Sequence, residues 1–254
     1  TLFLLPRLGL LAINATRDYF VLLKVFLSRS STIENYLLTY FKVLNSKTSQ
    51  AILGAGATRT AGLKHIFPKH MALSIQLVGF VISLLEELRN AFPNSSLSIG
   101  HNSSELNSSS PSEDVTFSTI ISNYKDHQNE IFGKLISMMY DRTVNHCNAI
   151  KSIDWSQPIR HPQQCHPFME TLVKDTTTIT KVLVKYLPEV EVALILLQVF
   201  DNYKKLFVEC FCTQIPPFKD LTEKNTALKD IDYFRVKLGE CPGYGNSGQV
   251  IWEN

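Results

Sequence analysis

Charge is scarce in this sequence: 19% of its 254 residues are charged, and 25 basic against 23 acidic residues leave a formal net charge of +2. So weak a field draws in neither nucleic acid nor anionic lipid over distance, which argues against a dedicated nucleic-acid binder. Cysteine is also sparse. Cys147, Cys165, Cys210, Cys212 and Cys241 are few and odd in number, which does not suggest a disulfide framework and favours a reducing, cytosolic location. Apolar runs are short: Met71 to Leu85 is uncharged for 15 residues, against the ~20 that a bilayer requires. Sustained period-two alternation and the catalytic signatures Gly-x-Ser-x-Gly, His-Glu-x-x-His and Cys-x-x-Cys are missing as well, so no residue pattern makes a case for an enzyme or a bound cofactor.

What is present is helical periodicity along nearly the whole chain. It predicts an all-α protein, an elongated antiparallel helical bundle. A first helix is expected from about Pro6 to Leu27, and a second, capped by Ser31 or Thr32, through Ile52. A third runs from about Lys69 to Phe92, apolar on nearly every face and therefore central. Between Asn94 and Asp114, 12 of 21 residues are Ser or Asn, a composition that reads as disordered. A long helix follows from Ser112 or Glu113 to Ser152, then a proline-rich turn from Trp155 to Pro167. The next helix continues to Tyr186, where Pro188 either starts another or kinks a continuous one. The last covers Leu221 to Leu238. These elements divide the chain into an N-terminal bundle portion (1–92), a Ser/Asn-rich insertion (93–114), a C-terminal bundle portion (115–240) and a flexible tail (241–254).

Several groupings invite a chemical reading. Leu196, Phe200, Tyr203, Phe207 and Cys210 repeat at four-three-four-three spacing, which places them on one helix face as a core stripe. Lys64, His65, Lys69 and His70 gather positive charge around a glycine- and proline-containing connection and are the candidate recognition surface, although polybasic sites usually need four to eight Lys or Arg. His146, Cys147, His161, Cys165 and His166 are zinc-ligand types without paired ligand spacing, so no metal site is assigned. Gly243-Tyr-Gly-Asn-Ser-Gly248 has the letters of a dinucleotide fingerprint, but no strand precedes it. His127 and Glu130 stand three apart on a helix and can touch; Glu86-Glu87, and Asp230 with Asp232, are the remaining acids. Glycosylation sequons at Asn14, Asn94, Asn102 and Asn107 carry little weight, since composition alone generates three of them. The chain begins at Thr1 without methionine or a basic-then-apolar leader and reads as a fragment.

At Gly54-Ala-Gly-Ala57, Gly62-Leu63-Lys64 and Ala72-Leu73-Ser74 the sequence resembles the C-terminal region of the vacuolar protein sorting-associated protein 54 family. The resemblance recurs, in the family's order, at Tyr124-Lys-Asp126-His127, Glu130-Ile131, Lys134-Leu135, Leu187-Pro188-Glu189 and Tyr203-Lys204. It implies a non-enzymatic subunit of the Golgi-associated retrograde protein complex, a tether built of stacked helical bundles that captures endosome-derived carriers at the trans-Golgi network. The implied partners are the other tethering subunits and carrier membranes, with SNAREs and small GTPases engaged mainly through regions outside this chain. The implied location is the cytoplasmic face of trans-Golgi and endosomal membranes. A helical adaptor that grips a partner helix in an apolar groove, and a helical enzyme with an unrecognised polar site, are the competing classes.

Overall fold

The computed structural model describes residues 7–26, 29–53, 67–91, 116–157, 159, 165–215 and 217–244. Among the described residues there are seven α-helices and no strand: α1 (Arg7–Val25), α2 (Ser30–Ile52), α3 (Pro68–Ala91), α4 (Phe117–Ile150), α5 (Pro167–Tyr186), α6 (Glu189–Glu209) and α7 (Leu221–Leu238), with a π-helical turn, Cys210–Gln214, closing α6. The protein is thus all-α and bundled. The glycine connections at Gly54 to Ala57 and Gly62, the Ser/Asn tract, and the sequons at Asn94, Asn102 and Asn107 lie outside the described residues.

Helix limits follow local chemistry. Asp220 accepts the amides of Thr222 and Glu223 at 2.8 and 2.9 Å, while Glu223 reaches back to the Lys219 N–H at 2.8 Å. That reciprocal cap satisfies amides a helix start would otherwise leave bare and fixes α7 at Leu221. Thr116 caps α4 through the Thr119 amide at 3.2 Å, so this helix starts at Phe117 rather than at Ser112 or Glu113. The expected cap of α2 at Ser31 or Thr32 is likewise corrected: Arg29 occupies the N-cap with no side-chain hydrogen bond, and both hydroxyl residues stand inside the first turn. Pro188 starts a helix instead of bending one. It is the N-cap of α6, and Leu187 before it is extended, with φ −116° and ψ 151°, as a residue preceding proline prefers.

The chain divides into two compact units, Thr1–Ile131 and Phe132–Asn254. The boundary falls inside α4, not at the Ser/Asn tract. The reason is burial: Ile120, Ile121, Tyr124 and Ile131, on the first turns of α4, complete the core that α1, α2 and α3 begin with Ala12, Tyr19, Leu38, Phe41, Ile75 and Leu85. The stretch Pro68–Asn90 is long and apolar enough to cross a bilayer, but 56% of its apolar window is buried within the protein, which is the signature of a central bundle helix. Thr16, whose hydroxyl would serve the Asn14 sequon, is buried and bonds the Ala12 carbonyl at 2.9 Å.

In the second unit α5 packs on α6 and α7, around the face that carries Leu196, Phe200, Tyr203, Phe207 and Cys210. All five are at most 2% exposed. Their partners are Phe234 from α7 and Tyr244 beyond it. The ring centroids of Phe200 and Tyr244 lie 5.0 Å apart, those of Phe207 and Phe234 5.6 Å, and those of Tyr203 and Phe234 5.8 Å, all edge-on, the geometry that aromatic quadrupoles favour. The tail expected from residue 241 is therefore corrected for its first four residues. Tyr244 is buried, and Gly243 holds φ +77° so close to α6 that a Cβ would collide with the Ala193 carbonyl oxygen. Only glycine permits that approach.

Candidate interaction surface

Lys64 and His65 of the basic connection lie outside the described residues. Lys69 is exposed at the start of α3. His70 acts locally. Its Nδ1 accepts the Phe67 N–H at 3.0 Å, and its own carbonyl accepts the Ser74 hydroxyl at 2.9 Å. A third-position side chain that reaches back to the N-cap amide is half of a capping box, so His70 secures the start of α3.

The zinc-type residues separate in space. Cys147 and Cys210 face one another across α4 and α6: the Cys210 thiol bonds the Cys147 carbonyl at 3.5 Å and the Cys147 thiol reaches the Leu206 carbonyl at 3.9 Å. The two neighbouring thiols act on one another as a pair; together with burial this raises the Cys147 pKa, and it lowers that of Cys210. Cys165 is pushed up to about 11, first by burial and then by the Asp230 charge. His166 belongs to a different construction. Asp230 on α7, fully buried, accepts both the His166 backbone N–H at 2.8 Å and its Nδ1 proton at 2.7 Å. The buried carboxylate thereby ties the start of α5 to α7, and desolvation raises its pKa. His146 is lowered first by burial; His161 lies outside the described residues. Among the described residues no three such ligands converge.

The acids singled out in the sequence also disperse. Glu86 pairs with Lys125 at 3.0 Å and Asp232 with Arg235 at 2.6 Å. His127 does not turn to Glu130; its Nδ1 meets the Asn45 side-chain oxygen on α2 at 2.7 Å. Asn45 donates its amide nitrogen to the Asn123 carbonyl at 3.1 Å, so its oxygen is the acceptor toward His127 and Nδ1 carries the proton. Burial lowers the His127 pKa and keeps the ring neutral near pH 7. Its Nε2 is buried without a hydrogen-bond partner. One turn away the Tyr124 hydroxyl donates to the Phe41 carbonyl at 2.9 Å. Tyr124 and His127, which carry part of the resemblance, thus act as polar clasps between α2 and α4.

These clasps floor a groove of about 360 Å³ within the first unit. Asn45, Ser46 and Ser49 line it from α2, and Asp126, His127 and Glu130 from α4. Ser49 follows Asn45 and Ser46 by four and three residues, and Glu130 follows Asp126 and His127 by four and three, so each set lies on one helix face. The sequence alone does not reveal this groove, because its walls come from segments about 80 residues apart. The available signal was the unbroken polar run from Asn45 to Gln50 near the end of α2. Elsewhere on this unit α1 exposes Leu10, Leu11, Val21, Leu22 and Val25, and Phe26 beyond its end is exposed too.

Comparison with known proteins completes the picture. Residues 1–142 match a family model described as Vps54-like protein, more than half of the chain and all of the first unit. Over 195 residues the chain is 26% identical to vacuolar protein sorting-associated protein 54, chloroplastic, of Arabidopsis thaliana, covering 76% of this chain and 18% of that protein. Identity to vacuolar protein sorting-associated protein 54 of Schizosaccharomyces pombe is 29% over 170 residues, 66% of this chain and 16% of the relative. The Homo sapiens protein of the same name is 27% identical over 171 residues, 66% and 15% respectively. The chain spans less than a fifth of the length of these curated relatives.

Proposed function

The chain belongs to the Vps54-like protein family, and from that premise we propose that it is the carrier-docking part of a vesicle-tethering subunit acting in endosome-to-Golgi retrograde transport. It works without catalysis, as a helical scaffold of the Golgi-associated retrograde protein complex at the trans-Golgi network. The other tethering subunits are its partners, while SNAREs and small GTPases are engaged mainly by parts of the subunit outside these residues. The family match is the observation that carries this reading. The helical units agree with it, because such an arm acts through its surfaces rather than through a reactive centre.

The adaptor alternative requires an apolar groove for a partner helix; the groove between α2 and α4 carries Lys42, Asn45, Ser46 and Ser49 on one side and Asp126 and Glu130 on the other, beside Ile120 and Tyr124. The helical-enzyme alternative requires converging acids with perturbed pKa values in a pocket; of the buried acids, Asp230 is occupied in holding His166 and Glu223 in capping α7.

The test is a pulldown with the recombinant chain against endosome-derived membranes and purified partner subunits. Membrane capture without subunit binding is the expected result. Subunit binding alone would make these residues a structural arm, and capture of neither would overturn the reading. For the basic connection, Lys64→Glu with Lys69→Glu is expected to lower membrane capture at unchanged melting temperature, and unchanged capture removes that surface from the account. His70 is left out of this pair because its loss would uncap α3.

A further inference from the structure

One face of α6 stays outside the core of its unit. Val190, Leu194 and Leu197 follow one another by four and three residues and so share a face, and they are 71%, 56% and 47% exposed. The row runs for about 10 Å along the helix. Apolar residues exposed singly need no explanation, but these three stand in line, beside the place where the chain returns to α6. That return is fixed. The Cys241 N–H bonds the Leu238 carbonyl at 2.9 Å and the Tyr244 N–H the Cys241 carbonyl at 3.1 Å. Tyr244 packs edge-on against Phe200, and Gly243 comes so close that a Cβ would meet the Ala193 carbonyl oxygen and the Leu197 amide nitrogen. Around the helix axis, buried Phe200 lies about 60° to one side of Leu197 and exposed Leu194 about 60° to the other. The returning backbone therefore meets α6 where its core face borders the exposed row.

After Tyr244 the sequence continues Gly245-Asn-Ser-Gly-Gln249-Val250-Ile251-Trp252-Glu-Asn254, residues outside the described ones, whose large apolar side chains are Val250, Ile251 and Trp252. From Tyr244 to Val250 the extended reach is about 20 Å, roughly twice the length of the row. We propose that Val250, Ile251 and Trp252 dock on Val190, Leu194 and Leu197, so that the occupant of this face is the chain's own segment. Area argues against a separate partner: three aliphatic side chains offer a small part of the roughly 800 Å² per partner that a stable complex between molecules buries. A segment joined to the face by a short linker already acts at an effective concentration in the millimolar range, and for it so small a contact suffices. The tryptophan ring supplies most of the apolar area. While the segment is seated, the row is closed to any other helix. The inference concerns the second unit alone and stands apart from the tethering reading.

Trp155 and Trp252 are the two tryptophans of the chain, so fluorine NMR of the whole protein labelled with fluorotryptophan gives one resonance for each, assigned by Trp252→Phe. The Trp252 resonance is expected to differ from that of the free peptide 245–254 and to be independent of protein concentration. Leu194→Asp, at an exposed position, should move it at least halfway to the peptide value at unchanged melting temperature, and Val190→Asp should act in the same sense. Val21→Asp, the same change at an exposed position of the first unit, should leave it in place. A resonance coincident with the peptide's in the unaltered protein, indifference to both α6 variants, or an equal response to Val21→Asp would each overturn the proposal. A shift that grows with protein concentration would do so too, since the segment would then be seated on a second copy.

Discussion

The two units of this chain solve the same packing problem with different materials. The first fills its centre mostly with aliphatic residues from α2 and α3, with the rings of Phe41 and Tyr124 among them, and joins its helices by single polar clasps, Tyr124 to the Phe41 carbonyl and His127 to Asn45. The second fills its centre with rings, Phe200, Tyr203, Phe207, Phe234 and Tyr244, and ties the start of α5 to α7 through the buried carboxylate of Asp230. Aliphatic packing leaves the first unit with a shallow seam between α2 and α4, where polar groups stay reachable. The difference teaches that in the first unit single polar joints hold one helix to another, whereas in the second a shared aromatic centre makes three helices depend on one another.

The largest effect that separates the units should come from Phe200→Ala, which opens a cavity among aromatic neighbours and is expected to cost about 3–5 kcal/mol. Hydrogen exchange read by mass spectrometry should show protection falling in α5, α6 and α7 while α2 and α3 keep theirs; an equal loss in both units would erase the distinction. Next comes Gly243→Ala, where φ +77° and the close Ala193 carbonyl oxygen make any Cβ strained, at about 1–3 kcal/mol. Its signature is loss of protection at the α6–α7 contact. Tyr124→Phe removes one neutral hydrogen bond and leaves the Phe41 carbonyl with its helical partner alone, about 0.5–1.5 kcal/mol, readable as faster exchange in α2 and the first turns of α4 with the second unit unchanged.

Acidification sharpens the contrast through sign. The folded pKa of His127 is depressed by burial, so its contribution to the first unit is full above the unfolded value of about 6.5 and is lost as pH falls below it. Asp230 is raised by desolvation, so its contribution to the second unit is present below about pH 3.8 and is lost as pH rises through its folded value. Lowering the pH from about 7.5 toward about 5 should therefore loosen the first unit around His127, while in the second unit His146, also lowered by burial, acts in the same direction and Asp230 in the opposite one, so the loosening there is smaller. Exchange profiles at the two pH values, corrected for intrinsic rates, would show this as lost protection in α2 and α4 that His127→Asn removes. Symmetric loosening would contradict it.

How much of this was legible in the sequence depends on distance along the chain. The limits of α7 match the expectation because Asp220 and Glu223 cap it from within four residues. The stripe from Leu196 to Cys210 is buried because helical periodicity is a local property of one segment. The Asp230 clasp on His166 links residues 64 apart, and the Tyr124 bond to Phe41 links residues 83 apart; periodicity cannot pair such distant positions. Tyr244 was hidden differently. Glycines surround or follow it at 243, 245 and 248, so the segment has the composition of a tail, although one ring and one glycine with positive φ seat it against α6. The groove was hidden because its acids look, on their own helix, like an ordinary solvated face.

The central claim is that these residues by themselves dock endosome-derived carriers. It is tested most directly by anchoring the chain to the outer mitochondrial membrane and imaging where those carriers collect. Carriers gathered at mitochondria, without recruitment of the other tethering subunits, are the predicted result. An unchanged carrier distribution, with the anchored chain shown to be folded by its exchange protection, would contradict it.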